Sequence, residues 1–277
     1  MLSDVTLLYP IIVPIVFAII VLGAGTLFER VAGGKLQLIR EILAVIGFII
    51  ASFYVFLTYW QLRYLQIISD WFQLSAGIFI PATLYYEYMP AGYWTTFAYQ
   101  VFVNGQNWLL YKATMPPAGS VFAVDFLSIL MAAAFTGLGL AVSIYSIRYM
   151  EHDTGKTKYY ALLLILVAAM NGVAFAGDLF TLFVFFEIMS ISAYALVGFR
   201  KENWEPVEAG FKYLLMGAVG SSMVLYAISI LYGLTGTLNF AYLGTLLGLG
   251  QALNPWAFLL GESTFYLVII LLIIGFG

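Results

Sequence analysis

The chain contains no cysteine and a single histidine, His152. The first absence excludes disulfides, thiolate metal sites and iron–sulfur ligation within the chain. The second leaves too few imidazoles for haem ligation. His152 lies in the polar loop RYMEHDTGKTKYY without metal-ligand spacing around it, and reads as a solvated loop residue. Charge is almost as scarce: Asp, Glu, Lys and Arg make up 9% of the 277 residues, with a net charge of −3. That balance is too small, and its basic residues too dispersed, to imply a nucleic-acid partner. No cofactor, metal ion or nucleic acid is therefore expected. The amino terminus, MLSDVTLLYPIIVPIVF, has no basic residue ahead of its apolar run, and that run continues too far for a cleavable signal. It reads as a first spanning helix.

What is abundant is apolar. Hydrophobic residues are 63% of the chain and the mean hydropathy is +0.99, beyond any ordinary water-soluble domain. The fold class expected is an all-α polytopic membrane protein. Apolar runs near the spanning requirement occur at Val5–Phe28, Glu41–Leu62, Phe122–Ile147, Tyr159–Gly177, Leu179–Phe199 and Val207–Gly233. These are six full transmembrane helices, and STFYLVIILLIIGFG supplies the start of a seventh. Its roughly thirteen apolar residues from Phe265 are too few to cross a bilayer, so the chain is expected to be incomplete, split or continued by another subunit. Three regions are expected: a two-helix hairpin over 1–62, an aromatic-rich insertion over 63–121, and helix three with an incomplete repeat over 122–277.

The basic residues set an expected orientation. Arg30, Lys35, Arg40, Arg148, Lys156, Lys158, Arg200 and Lys201 follow the first, third and fifth helices, whereas only Arg63 and Lys112 lie opposite. The positive-inside rule then places the amino terminus outside a prokaryotic cell membrane. In the insertion, IISDWFQLSAGIFI and YWTTFAYQVFV are apolar but interrupted, which suggests interfacial or re-entrant elements. TGTLNFAYLGTLLGLGQALNPW reads as an outer loop with an interfacial helix. Asp125 and Asp178 open helices three and five and suit N-caps, with a weaker role for Asp178 as an outer proton entrance.

The most informative stretch is GDLFTLFVFFEIMSISAYALVGFR. Glu187 lies roughly 13 Å past Asp178 and about 18 Å short of Phe199 by helical rise, deep in a hydrocarbon core about 30 Å thick. A carboxyl at that depth must face protein or water, and is a functional-site candidate by default. Ser190 and Tyr194 share its face at i+3 and i+7. In the next helix, ENWEPVEAGFKYLLMGAVGSSM, Glu208 and Lys212 are four apart and can pair, with Lys212 about 9 Å beyond Pro206 by helical rise. Gly217 and Ser221 form a small-residue seam opposite Lys212, which suits packing on that side.

GDLFTLFVFFEIMSISAYALVGF, YYALLLILVAAMNGVAFA and EAGFKYLLMGAVGSSMVLYAISILYGLTGTLN together resemble the antiporter-like membrane subunits shared by Mrp-type sodium/proton antiporters, respiratory complex I and energy-converting membrane hydrogenases. Within that family the likeness is to the D-type Mrp branch. It covers Ser120–Asn239 specifically and leaves out most of Arg63–Val121. The resemblance implies that Glu187 is a proton-relay acid, that Lys212 is a membrane lysine on the relay, and that Glu208 is the family's glutamate beside it. It also implies about fourteen helices in two inverted repeats, of which the second, and the seventh-helix lysine, are missing here. Partners expected are other membrane subunits, including one carrying the missing half, together with protons, sodium ions in some members, and lipid.

The function expected is that of a membrane subunit in a multisubunit cation/proton-translocating complex, not catalytic by itself. Glu187 and Lys212 are expected to be adjacent, with Ser190, Tyr194 and Glu208 in support. Apolar surroundings make a carboxyl hold its proton and a nearby ammonium loosens that hold, so the lysine's charge would gate the acid. The rival is a structural membrane anchor derived from a shortened antiporter-like subunit, moving no ions. A stand-alone carrier is disfavoured because no inverted repeat is present.

Overall fold

In lipid a backbone amide has no water to bond, so long apolar runs satisfy their own polar groups as helices. The computed structural model describes residues 8–31, 37–76, 84–87, 100–103, 106–109, 120–151, 153–240, 243 and 255–276. Among these are α1 (Tyr9–Val31), α2 (Gln37–Ala76), α3 (Phe126–Tyr149), α4 (Lys156–Phe175), α5 (Leu179–Val197), α6 (Trp204–Thr235) and α7 (Pro255–Phe276). By length and composition, 6 of the described helices could cross a membrane. The expected class, a polytopic membrane protein built of α-helices, therefore holds for the spanning segments.

Several boundaries differ from those read in the sequence. The second helix does not stop at Leu62; α2 runs 40 residues to Ala76, because IISDWFQLSA keeps helical apolar character through its polar interruptions. The insertion also holds short strands, β1 (Leu84–Glu87), β2 (Gln100–Val103) and β3 (Gln106–Leu109). β2 and β3 form an antiparallel hairpin with Val103 opposite Gln106, where the sequence suggested an interfacial or re-entrant element. The third helix starts at Phe126 rather than Phe122, since Val121–Val124 is a strand, β4, paired with β1. The last helix begins at Pro255, ten residues before Phe265, and is 22 residues long. His152 and most of the loop expected to hold an interfacial helix lie outside the described residues.

The chain forms two compact units that interleave along the sequence. The first comprises Met1–Leu65, Val124–Ala174 and Phe185–Leu214. Its core joins Ala18 and Val21 of α1, Ala44 and Phe48 of α2, and Tyr160, Leu164 and Val167 of α4. Lipid tails are as apolar as these side chains, so close contact rather than water exclusion holds such helices together. Gly139 shows the requirement: a Cβ there would lie 2.8 Å from both Phe48 and Val167, so only a bare backbone lets α3 approach.

A second contact in this unit answers a backbone defect. Pro14 lies inside α1 and has no N–H to give the carbonyl four residues earlier, which belongs to Pro10. Asn171, fully buried on α4, donates its Nδ2–H to that Pro10 oxygen at 2.9 Å. The proline is tolerated because a neighbouring helix satisfies the group it orphans.

The second unit comprises Gln66–Ala123, Phe175–Val184 and Leu215–Gly277. Leu179, Val224, Ile228, Leu231, Leu243 and Val268 form its core. α6 and α7 touch backbone to backbone, since a Cβ on Gly220 would stand 2.8 Å from the Gly275 oxygen. α6 ends where Gly236 takes φ +70° and its N–H returns to the Tyr232 oxygen at 2.8 Å, a left-handed cap that only glycine adopts without strain.

Candidate functional site

α5 carries the site. Its first turn is fixed by Asp178, which is 4% exposed. One carboxylate oxygen accepts from the Thr181 amide at 2.7 Å; the other accepts from the Thr181 hydroxyl at 2.6 Å and from the Val121 amide at 2.7 Å. The flanking backbone adds Gly177 N–H to Val121 O at 2.8 Å and Leu179 N–H to Leu238 O at 3.0 Å. Both oxygens of Asp178 are thus committed to donors, and its position is that of a cap and staple. Asp125 is the corresponding cap of α3, accepting from Ser128 N–H at 2.6 Å while its own N–H donates to the Ser128 hydroxyl at 2.7 Å.

Nine residues beyond Asp178 the environment reverses. Glu187 is half-buried, and its Oε1 is sealed from the surface and bonds to nothing among the described residues. Its neighbours along α5 are Phe183, Val184 and Phe186. An acid so placed leaves an acceptor without a donor, an arrangement folded proteins avoid unless it has a use. Ser190, one turn on, is buried at 8% exposure. Tyr194, a further turn on, packs its ring edge-on against Tyr213 of α6 at 4.5 Å between centroids. It also lines a cavity of about 950 Å³ whose walls include Leu162, Ile191 and Phe211, and whose polar end carries Asp153, Lys158, Arg200 and Glu202. There the connecting loops are clipped together by Arg200 to Asp153 at 3.0 Å and by Thr154 to Glu202 at 3.2 Å. Asp153 beside it makes the Arg200 guanidinium hold its charge more firmly still.

Lys212 and Glu208 meet as their spacing suggests, with Nζ 2.7 Å from Oε1. Among the described residues no ion pair joins Glu187 to Lys212; that of Lys212 is with Glu208. The helix explains why. Gly210 is the residue that α6 turns toward α5, where a Cβ would lie 3.0 Å from Gly198 Cα. Two residues either way are about 200° of helical rotation, so Glu208 and Lys212 point to the other side. Gly217 and Ser221 share the Gly210 face, opposite the lysine, as the sequence placed them. The Lys212 side chain is 71% exposed, on a face shared with Leu215 and Met216.

The structure also assembles a cluster that hydropathy does not reveal. Arg40 and Glu41 of α2 and Lys156 and Thr157 of α4 are all buried. Lys156 Nζ stands 3.6 Å from Glu41 Oε1, and Arg40 donates to the Thr157 hydroxyl at 3.3 Å. Arg40 and Lys156 are thus not free loop charges but belong to the first turns of packed helices. The available signal was Glu41 itself, an acid amid loop cations at the edge of an apolar run.

Among the described helices, α5 thus carries a lone acid and α6 a Glu/Lys pair. Comparison with known proteins is specific. The family description "NADH:quinone oxidoreductase/Mrp antiporter, TM" matches residues 176–277, and "NADH-Ubiquinone oxidoreductase (complex I), chain 5 N-terminus" matches 118–160. Residues 118–160 and 176–277 are thus similar to antiporter-like membrane subunits. It is 36% identical over 155 residues to the N component of F(420)H(2) dehydrogenase of Methanosarcina mazei, covering 56% of this chain and 30% of that one. It is 39% identical over 139 residues to the D-type component of a probable K(+)/H(+) antiporter of Rhizobium meliloti, covering 50% and 25% respectively. The chain thus spans about a third or less of these relatives. Among solved structures, its fold resembles a chain of the archaeal membrane-bound sulfane sulfur reductase, with a TM-score of 0.65 and 23% identity over 99% of this chain and 44% of the other. It also resembles a chain of respiratory complex I from Thermus thermophilus, with a TM-score of 0.57 and 19% identity over 96% and 42%.

Proposed function

We propose that this chain is a membrane module of a multisubunit complex that translocates protons, with or without exchange for another monovalent cation, and that Glu187 is its central proton-carrying group. The observation that carries this is the sealed, unpartnered Oε1 of Glu187 in an apolar helix. An acid kept for structure is bonded as Asp178 is; one kept for protons must be able to gain and lose them, which a full set of donors opposes. Ser190 and Tyr194 extend its face toward the cavity, whose charged end supplies a route for protons from the side of the basic loops.

Lys212, with Glu208 as counter-ion, is a second station on the far side of α6. Its coupling to Glu187 acts through space rather than by contact. A lysine so exposed at membrane depth requires protein or water against it. That face of α6 is accordingly where another membrane segment of the complex packs. The setting is a prokaryotic cell membrane, with the amino terminus outside and the basic loops in the cytoplasm. Asp178 serves this reading as the anchor of α5.

Glu187→Gln in the assembled complex, reconstituted in vesicles with a pH-sensitive dye, tests the proposal. Proton movement falls to background while assembly persists; native proton movement in that variant defeats it. The anchor reading has one observation in its favour, the pairing of Lys212 with Glu208 rather than Glu187, and it requires Glu187→Gln to be without effect on transport.

A further inference from the structure

Glu41 and Lys156 form a charged pair that the path through Glu187 does not use. Their side chains are 6% and 8% exposed, with Nζ and Oε1 3.6 Å apart. Glu208 and Lys212, largely open to the surroundings, approach to 2.7 Å. The looser pair is therefore the sealed one. A buried ion pair recovers the cost of leaving water only through close geometry and further hydrogen bonds. Charge-assisted bonds of that kind are about 2.7–2.9 Å long, so as a staple this pair is poorly made.

Its surroundings suit proton exchange instead. Tyr160, one turn after Lys156, is fully buried, its hydroxyl bonds to no described group, and it sits in the electrostatic field of Glu41 and Arg40. The neighbouring Tyr159 hydroxyl shares a 2.8 Å hydrogen bond with Ser146 of α3.

We propose that Glu41 and Lys156 are a second proton-exchanging station of this chain, at the end of the first unit where α2 and α4 begin. The step is balanced. The Lys156 ammonium gives a proton to the Glu41 carboxylate, an N–H bond breaking as an O–H bond forms, and an ion pair becomes a neutral amine beside a neutral acid. Net charge is unchanged in either direction, so the exchange adds no uncompensated charge to the cluster. Low-dielectric surroundings bring the two forms closer in energy than water does. The proposal rests on the translocation reading above.

The test is proton movement in vesicles containing the assembled complex. Glu41→Gln and Lys156→Met each leave one member of the pair without the other and are compared with the double variant E41Q/K156M, which removes both. A staple is restored by the double change; a proton station is not. The double variant is expected to assemble at the native level yet transport on the order of a hundredfold more slowly, the loss typical of a missing proton-transfer group. Transport within about twofold of native in the double variant, well inside that loss, overturns the proposal. Should neutral variants fail to assemble, Glu41→Asp keeps the charge and lengthens the gap: slowed transport in intact complex supports the station, and unchanged transport refutes it. Glu187→Gln, run alongside, separates the two readings. If it transports normally the translocation reading fails; if it is dead while E41Q/K156M is active, only the second station fails.

Discussion

Two acids nine residues apart, one capping α5 and one within it, occupy opposite environments. Asp178 has both carboxylate oxygens engaged by three donors at 2.6–2.7 Å, whereas Glu187 keeps a buried oxygen with no donor among the described residues. Both lie in or beside an apolar helix, and both are the kind of residue a membrane interior penalises. The difference teaches how to separate an acid that shapes the fold from one that the fold isolates: the first gathers backbone donors from distant segments, the second keeps a buried oxygen that no described group bonds.

The comparison can be broken most sharply at Glu187. Replacement by Gln keeps size and polarity and removes only titration, so the loss should fall on transport, roughly a hundredfold or more, with thermal stability of the purified complex near native. At Asp178 the pattern inverts. Asp178→Ala strands the Val121 and Thr181 donors, and should cost on the order of 2–4 kcal/mol of stability. The readout is a lowered melting temperature and reduced assembly, with transport per assembled complex unchanged. An Asp178→Ala complex that assembles normally but fails to transport would place this acid in the relay instead.

The third prediction concerns a neutral polar residue in an equally apolar helix. Asn171→Leu leaves the Pro10 carbonyl without a donor and should destabilise by about 1–3 kcal/mol. Adding Pro14→Ala restores the α1 backbone bond, so the double variant should recover much of that loss. A purely additive cycle would show that Asn171 acts elsewhere. The smallest effect on stability is expected at Lys212 and Glu208. Their pair is largely exposed, and K212M or E208Q should change the melting midpoint by less than the equivalent of about 1 kcal/mol. If Lys212 is a station of the relay, transport falls in the same variants; if the chain is an anchor, neither quantity moves.

The helical spans were legible because hydropathy over twenty residues measures a local requirement, namely that a backbone in lipid bond to itself. Glu187 was legible for the same reason, since an acid in the middle of such a span stands out on hydropathy alone. The caps at Asp125 and Asp178 followed from local spacing. The β2–β3 hairpin and the continuation of α2 to Ala76 were not legible, because polar interruptions over ten residues suit a kinked helix, a strand or a loop about equally. Nor was the burial of Arg40, Glu41 and Lys156. Counting charges assigns them to loops, and only packing shows that the first turns of α2 and α4 enclose one another's charges.

The amino-acid sequence by itself determined that this is a multi-span membrane protein, where its spanning segments lie, and which acid lies deepest within them. All of these depend on composition within one segment. Which groups meet was decided by tertiary structure alone: Asn171 reaching the carbonyl that Pro14 leaves open, Lys156 enclosed with Glu41, Asp178 gathering donors from Val121, and Lys212 turned to the side of α6 away from Gly198. Side-chain direction at a helix contact is set by which face packs. Here Gly210 packs because it has no side chain, and the lysine two residues away is carried round to the opposite face.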